Sequence, residues 1–291
     1  MTRAADRATA RGLRPWLDAW DSSRPGIPLV MGILNVTPDS FSDGGRFLEA
    51  PAALEHAQHM TQEGADIIDV GGESTRPGSQ PVAAEEQIRR VLPVIEGIRS
   101  RHPGLSISID TRSAAVARRA LDAGADCVND VSALGDDAEM AGLVAEREVP
   151  VVLMHMKGTP ATMQDDPRYE EVVSEVRQFL AERIDFAVRA GIDRRRIIVD
   201  PGIGFGKTTA HNLSLLRRLG ELRRLEAPLL VGVSRKRMIA DVLRLNPADE
   251  RLLGTAGAVA AAVLNGADIV RVHDVGAMRP IVRLCGAIRE A

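Results

Sequence analysis

The chain has 291 residues, of which 45% are hydrophobic and 26% are charged, and its formal net charge is −3. This composition is typical of a globular protein, and the charge balance gives no basic field for binding nucleic acid. The two cysteines form no CxxC pair, which predicts buried, reduced thiols in a cytoplasmic protein. No apolar run reaches the roughly 18 residues of a membrane helix, so we expect no membrane partner either.

The N-terminal segment differs in composition from the rest of the chain. It is rich in Arg and Ala and lacks the apolar core of a secretion signal. We therefore predict a poorly ordered N-terminal lead-in over residues 1–27, with a short amphipathic transit peptide as the alternative, and a single catalytic domain over residues 28–291.

Short apolar runs alternate with longer segments of helical periodicity along this domain. The runs are apolar on both faces, as parallel strands covered by helices must be. They predict eight strands, at residues 28–36, 66–70, 106–109, 127–131, 151–154, 197–200, 229–231 and 269–272. Eight strand–helix units in about 250 residues predict an α/β fold, a single-domain (β/α)₈ TIM barrel. The alternative, an open doubly wound sheet, lacks the GxGxxG fingerprint that should follow its first strand.

A Gly-Ala-Asp tripeptide recurs between a helix and a strand, at residues 64–66, 124–126 and 266–268. Its glycine can end the preceding helix in a left-handed conformation, so that the next strand starts within a few residues. Similar turns between repeated units support the barrel.

Polar side chains follow nearly every predicted strand. The active site of this fold lies at the carboxyl ends of the strands. Structural turns would supply Asp, Asn and Gly there, but not Lys, Arg and His. We therefore predict one shared site, and we predict lids in the two long Gly-rich loops after the first two strands. The polar residues at the strand ends are Asn35, Asp69, Asp110, Asn129, Asp130, His155, Lys157, Asp200, Ser234, Arg235, Lys236, Arg271, His273 and Asp274.

One group of these side chains suits a flat heterocycle. Asp110 and Asp200 can accept paired N–H bonds, Asn129 can pair with an N–H/C=O edge, and Lys236 can donate to a carbonyl or ring nitrogen. A pterin has such an edge. A second group, Asn35, Arg271 and His273, suits an anion. The loops after strands seven and eight are a frequent phosphate site in this fold.

Five motifs resemble those of dihydropteroate synthases. They are MGILNVTPDSFSDGG from Met31, GGESTRPG from Gly71, DPGIGFGK from Asp200, SRK from Ser234 and RVHDV from Arg271. The resemblance extends from about Pro28 to the C-terminus. It implies a pterin-binding TIM barrel and a transferase of folate biosynthesis. Its substrates would be 6-hydroxymethyl-7,8-dihydropterin pyrophosphate and p-aminobenzoate, and its product 7,8-dihydropteroate.

The resemblance also implies roles for individual residues. The pterin would be bound by Asp110, Asn129, Asp200 and Lys236. The pyrophosphate would be bound by Asn35, Thr75, Arg271 and His273, and Asn35 would also be a ligand of the implied cofactor, Mg²⁺. The p-aminobenzoate pocket would be formed by Phe41, Thr75, Arg76, Pro77, Phe205 and Ser234. The catalytic residues would be Asp110, Lys236, Arg271 and His273, and we expect a homodimer.

The family reaction is described as ionisation first, with pyrophosphate leaving before the aniline nitrogen attacks. An aniline nitrogen is a weak nucleophile, so the enzyme gains most by making a good electrophile. Arg271 and His273 would stabilise the leaving charge, and Asp110 would offset positive charge on the pterin.

Three other functions are weighed against this one. A P-loop ATPase is suggested by GIGFGKT from Gly202, but Pro201 occupies the place where that motif needs glycine. A corrinoid-linked methyltetrahydrofolate methyltransferase shares the barrel and the pterin site, but it lacks the long first-loop motif. The third is a non-catalytic pterin-binding paralogue, and the intact Asn35, Asp110, Lys236 and Arg271 argue against it.

Several polar residues have a structural alternative to a direct role in binding. Asp39 and Asp43 are either ligands or turn formers. Glu73 is expected to brace its loop, and His155 and Lys157 either contact the substrate or only stand near the mouth of the barrel.

Overall fold

The computed structural model of the chain describes residues 12–23, 26–37, 49–74, 79–159, 162–245 and 251–291. Its strands are β1 Leu29–Asn35, β2 Ile67–Gly71, β3 Ser106–Asp110, β4 Cys127–Asp130, β5 Val151–Met154, β6 Ile197–Asp200, β7 Leu230–Val231 and β8 Ile269–Val272. They form one sheet in the order β6-β5-β4-β3-β2-β1-β8-β7, and every pair is parallel. A parallel bridge between Val199 and Leu229 joins the two edges and closes the barrel. The predicted TIM barrel is therefore confirmed.

Helices alternate with the strands, and the labels number those within the described ranges. They are α1 Leu13–Ala19, α2 Glu49–Gln62, α3 Ala84–Arg101, α4 Ala114–Asp122, α5 Met140–Arg147, α6 Val172–Arg189, α7 Thr209–Arg217, α8 Arg237–Leu243, α9 Leu252–Leu264 and α10 Val275–Glu290. Each predicted strand boundary falls within one residue of the observed one. In the described ranges, no helix has both the length and the apolar character needed to cross a membrane.

The three Gly-Ala-Asp turns have the conformation that their sequence predicts. The angle φ is 96° at Gly64, 107° at Gly124 and 112° at Gly266, in the left-handed region that favours glycine. Each aspartate then holds the start of a neighbouring strand. Oδ2 of Asp126 accepts a hydrogen bond from the backbone N–H of Ile107 (2.9 Å) and pairs with Arg99 (2.5 Å). Asp66 and Asp268 make the same two kinds of contact.

The half of the barrel interior where the strands begin is apolar, and helix α1 covers it. Leu13 and Leu17 of α1 are buried there, and the backbone N–H of Leu13 donates to Oγ of Ser106 (2.8 Å). Part of the segment predicted as a lead-in thus packs against the barrel. The strand residues of this apolar cluster are Met31, Ile67, Cys127, Val152, Ile198, Leu230 and Ile269.

Candidate active site

A cavity of about 850 Å³ lies at the carboxyl ends of the strands. Its walls contain every predicted site residue that the structure describes, which are Asn35, Asp110, Asn129, Asp200, Phe205, Ser234, Lys236, Arg271 and His273. The remaining predicted site residues, Phe41, Thr75, Arg76 and Pro77, lie outside the described ranges. The two candidate turn formers, Asp39 and Asp43, lie outside them as well. The barrel therefore brings together residues that are far apart in the sequence.

Arg271 of β8 lies in a charged cluster inside the barrel. Its Nε donates to Oδ2 of Asp69 (2.6 Å), and its Nη2 donates to Oδ2 of Asp110 (2.8 Å). Nδ2 of Asn129 donates to the same Asp69 oxygen (3.0 Å). These four side chains come from β2, β3, β4 and β8, and they meet because alternate residues of each strand face the barrel interior.

Burial and charge act against each other within this cluster. Burial raises the pKa of the Asp110 carboxyl above its ordinary value, Arg271 opposes that rise, and Asp69 adds to it. Burial lowers the pKa of Arg271, but Asp69 and Asp110 outweigh this effect and raise it. Arg271 is therefore a cation shared by two acidic residues. Of the two, Asp110 lines the cavity, and it can accept N–H groups of a ligand there.

Asp200 and Lys236 bring opposite charges to another wall of the cavity. Burial raises the pKa of Asp200 to about 6, while a hydrogen bond from the backbone N–H of Gly202 (2.7 Å) and the charge of Lys236 oppose the rise. Nζ of Lys236 lies 4.2 Å from the centre of the Phe205 ring, within the range of a cation–π contact. The wall thus offers an acceptor, a donor and an aromatic face.

The loop after β6 is built around the buried side chain of Lys207. Its Nζ donates to the carbonyl oxygens of Gly202 and Phe205 (both 2.9 Å) and lies 2.8 Å from Nδ1 of His155. Burial lowers the pKa of Lys207 to about 7. At Gly202, where φ is 66°, a Cβ would come within 1.9 Å of the His155 carbonyl oxygen. Lys207 therefore holds loop backbone, which disfavours the P-loop alternative.

His273 is held by a second residue of the cavity wall, Ser234. The backbone N–H of His273 donates to Oγ of Ser234 (3.2 Å), and its Nδ1 lies 3.0 Å from the same oxygen. His273 follows Arg271 by two residues, which places both on the same face of the β8 chain. A cation and an imidazole thus stand side by side at this end of the barrel.

Glu73, His155 and Lys157 have either a structural role or a role in binding. Glu73 braces its loop, because its Oε1 accepts from the backbone N–H of Val82 (2.8 Å) and its Oε2 from Arg112 (3.1 Å). Nζ of Lys157 lies 4.3 Å from the centre of the Tyr169 ring. Neither Lys157 nor His155 belongs to the cavity lining drawn from the described residues.

Sequence reasoning missed two polar residues of the region. Asp69 stands at a strand end, and a lone acid in the otherwise apolar strand β2 is the signal that points to it. Gln164 lines the cavity and donates from Nε2 to the carbonyl oxygen of Gly204 (2.7 Å). It lies in the loop between β5 and α6, and no pattern in the sequence distinguished it.

Similarity to known proteins is strong in sequence. The pterin binding enzyme family matches residues 31–273 of the chain. A dihydropteroate synthase of Synechocystis sp. is 48% identical over 259 residues, 89% of each chain. A dihydropteroate synthase of Escherichia coli is 48% identical over 248 residues, 85% of this chain and 87% of that one.

Solved structures extend this similarity to the fold. The dihydropteroate synthase of Xanthomonas albilineans with 4-aminobenzoic acid matches with a TM-score of 0.85 and 46% identity, over 93% of this chain and 95% of that one. A structure from the same organism in complex with 7,8-dihydropteroate matches with a TM-score of 0.82 and 42% identity, over 94% and 96%. Because sequence and fold agree over nearly the whole of both chains, this chain belongs to the pterin-binding enzymes and, among them, to the dihydropteroate synthase family.

Proposed function

We propose that this chain carries out the transfer reaction of its family. It condenses 6-hydroxymethyl-7,8-dihydropterin pyrophosphate with p-aminobenzoate to give 7,8-dihydropteroate and pyrophosphate. The observation that carries this proposal is that one cavity holds two recognition chemistries. Acceptors for a flat heterocycle, Asp110 and Asp200, share it with Arg271 and His273, which suit a diphosphate. A pterin that bears a diphosphate needs both.

The pterin ring would be bound by the polar residues of β3, β4 and β6. Asp110 and Asp200 would accept its ring N–H and exocyclic amine, and Lys236 would donate to its carbonyl or ring nitrogen. Because Nδ2 of Asn129 already donates to Asp69, the amide oxygen of Asn129 would be its group for the pterin. The pterin ring would thus be recognised by hydrogen bonds along its polar edge.

The diphosphate would be bound by Arg271, His273 and Asn35, together with Thr75 of the second loop. Among the described residues, no group of three or more His, Cys, Asp or Glu side chains could hold a metal by itself. Mg²⁺ usually keeps several waters and takes few protein ligands beside substrate phosphates. The single amide oxygen of Asn35 on the cavity wall fits such an ion, which would neutralise charge on the leaving group.

The second substrate, p-aminobenzoate, would bind on the outer side of the pterin. Phe205 and Ser234 line the cavity there and would offer an aromatic face and a hydroxyl. The pocket would be completed by residues of the first two loops, Phe41, Thr75, Arg76 and Pro77. We expect p-aminobenzoate to bind best once the pterin site is filled.

The reaction would begin with ionisation. The bond between the pterin methylene carbon and the diphosphate oxygen breaks, and its electron pair leaves with the pyrophosphate, whose charge Arg271 and His273 would stabilise. Asp110 would offset the positive charge that spreads over the pterin. The aniline nitrogen then forms the C–N bond to the methylene carbon, and the proton that it loses passes to solvent or to the released pyrophosphate.

A non-catalytic pterin-binding paralogue is the main alternative. Such a protein would have no use for a cationic site beside the pterin. Buried ion-pair clusters are weak evidence of a role in stability, since apolar residues can often replace them without loss. The presence of Arg271 between Asp69 and Asp110 therefore favours an enzyme. The same argument disfavours the methyltransferase, whose substrate carries no diphosphate.

An assay of pyrophosphate release tests the proposal. The chain is incubated with the pterin pyrophosphate and Mg²⁺, with and without p-aminobenzoate. We expect pyrophosphate and 7,8-dihydropteroate in equal amounts when both substrates are present. Pterin binding without any release of pyrophosphate would support the paralogue instead.

We also propose that the chain is cytoplasmic, in agreement with its buried, unpaired cysteines. We propose separately that it forms a homodimer. Helices α8 and α9 pack against each other, and they carry the exposed apolar side chains Val242, Leu243, Leu252 and Leu253. Leu253 is 83% exposed, and we propose that a second copy of the chain covers it.

The dimer has its own test. We predict that Leu253→Glu shifts the protein from dimer to monomer in sedimentation velocity, because the charge would be buried without a partner. Val188→Glu on α6, at a residue 42% exposed, is the matched control and should leave the dimer intact. A native protein that sediments as a monomer would exclude the dimer.

A further inference from the structure

Asp69 is a buried carboxylate directly behind the cavity. It is 0% exposed, and the lining formed by the described residues does not include it. Its Oδ2 nevertheless accepts hydrogen bonds from Nε of Arg271 (2.6 Å) and from Nδ2 of Asn129 (3.0 Å). Asp69 therefore contacts one residue of the proposed diphosphate site and one residue of the proposed pterin site.

Arg271 is shared between Asp69 and Asp110, and the two contacts differ in what substrate binding would require. Nη2 of Arg271 donates to Asp110 (2.8 Å), but Asp110 must accept pterin N–H groups when substrate is bound. The contact from Nε of Arg271 to Asp69 involves no acid of the cavity lining, so it can persist with and without bound substrate. Asp69 would thus hold the Nε edge of the Arg271 guanidinium. The terminal nitrogens of Arg271 would then turn from Asp110 toward a diphosphate.

We propose that Asp69 is a positioning residue that anchors Arg271 for the diphosphate and keeps Asp110 available to the pterin. This inference rests on the proposed function and deepens it. Without the anchor, Arg271 would pair with Asp110 alone, and both halves of the substrate would lose a contact. The bond to Asn129 fixes the amide that faces the pterin in the same way.

The second oxygen of Asp69 provides a conservative substitution. Oδ1 is buried and has no hydrogen-bond partner among the described residues. In Asp69→Asn the amide oxygen can replace Oδ2 and the amide nitrogen can replace Oδ1, so the shape is kept while the charge is lost. We therefore expect this variant to fold. Asp69→Ser, which also keeps an oxygen, is the second variant.

Ser108 provides a matched control in the same layer of the barrel. It pairs with Asp69 in the register of β2 and β3, and it is 0% exposed. Ser108→Ala removes a buried polar atom beside Asp69 without removing a bond to Arg271. It should leave both kinetics and binding unchanged.

A double-mutant cycle tests whether Asp69 acts through Arg271. We expect Asp69→Asn to lower kcat/KM for the pterin pyrophosphate by about ten- to a hundredfold, the effect of one charge-assisted hydrogen bond. In the Arg271→Ala background the same change should cost less than about threefold, because the residue it positions is gone. Equal losses in both backgrounds, no loss in the native background, or the same loss in Ser108→Ala would overturn the proposal.

Pterin binding separates this proposal from the proposed function. If the native protein releases no pyrophosphate, the proposed function fails, and the affinity for 6-hydroxymethylpterin still decides on Asp69. Calorimetry should show that Asp69→Asn weakens this binding by about three- to tenfold, as Arg271 pairs more fully with Asp110. An unchanged affinity in Asp69→Asn would then reject the positioning role.

Discussion

Asp110 is paired with Arg271 (2.8 Å) and lines the cavity, where its carboxyl group would face the pterin ring. As pyrophosphate leaves, the pterin becomes more positive and its contact with Asp110 strengthens, and an interaction that grows in the transition state lowers the barrier. We predict that Asp110→Asn lowers kcat by about a hundredfold or more, whereas one lost hydrogen bond would account for about tenfold. Steady-state kinetics with both substrates measures the loss.

The control for this prediction is Asp122→Asn, which removes a carboxylate that pairs with Arg147 on the protein surface. It should leave kcat unchanged. If Asp110→Asn raises KM for the pterin substrate and leaves kcat intact, Asp110 is a binding residue and does not stabilise a cation.

Asp200 makes the stability of the ligand-free protein depend on pH. Burial raises its pKa in the folded protein from 3.8 to about 6, so the folded state binds a proton more tightly than the unfolded state. This contribution to stability is fully present below the unfolded value and is lost as the pH rises through about 6. We predict that Asp200→Asn, which is neutral throughout, unfolds at a higher temperature than the native protein above that pH.

The measurement is a series of thermal unfolding curves for both proteins from acidic to mildly alkaline pH. The difference in Tm should shrink toward the acidic end, where the native carboxyl is protonated as well. A gap between the Asp200→Asn and native proteins that is the same at every pH would mean that Asp200 does not titrate in this range.

At the scale of elements, the strands could be predicted and helix α1 could not. The strand β5, Val151–Met154, is a short apolar run that needs no tertiary information to recognise. Helix α1 is only 7 residues long and contains Pro15, and its leucines are buried only because the barrel leaves an open end for them. Its formation depends on packing, which the local sequence does not encode. We propose that the catalytic domain begins by residue 12.

The candidate site could be predicted to a similar extent. Residues such as Lys236 and His273 were found because the barrel collects the carboxyl ends of its strands in one place. Asp69 acts through contacts with Arg271, 202 positions away in the sequence, and with Asn129. Only the register of the closed barrel brings these three side chains together. The motifs therefore indicate the residues that would bind substrate in the proposed function more readily than Asp69, which we propose positions one of them.

Helix α1 leads to a prediction about stability. Leu17 is 4% exposed and packs in the apolar cluster at the end of the barrel that α1 covers. We predict that Leu17→Ala lowers the free energy of unfolding by about 2–5 kcal/mol, the usual range for a truncated core leucine. Denaturant unfolding measures this change. Leu284→Ala on α10, at a residue 63% exposed, is the control and should change it little. Equal effects of the two substitutions would mean that α1 does not dock.

For the whole molecule, the strands of the described barrel pair least between β6 and β7. Strands β1 and β2 pair over five residues, from Met31–Ile67 to Asn35–Gly71. Between β6 and β7 the described backbone makes a single bridge, Val199 to Leu229, with a hydrogen bond from Val199 N–H to the Pro228 carbonyl oxygen (2.9 Å). Local opening requires least free energy where the fewest bonds must break. The β6–β7 join is therefore the place where the closed barrel should open first.

The proposed pterin site spans this join, because Asp200 ends β6 and Lys236 follows β7. A ligand that bonds to both would connect the two strands where the backbone connects them least, and it would stabilise the closed form by its binding free energy. We predict that amides of β6 and β7 exchange with solvent faster than those of β1 and β2 in the free protein. Binding of 6-hydroxymethylpterin should slow the β6 and β7 amides most. Hydrogen exchange followed by mass spectrometry resolves these peptides with and without the pterin.

Lys236→Met provides the matched case, because it keeps a long side chain but removes the donor on the β7 side. In that variant the pterin should no longer protect the join, even at concentrations that fill the site. If the join is as protected as β1 and β2 before the pterin is added, the barrel closes more firmly than its hydrogen bonds indicate.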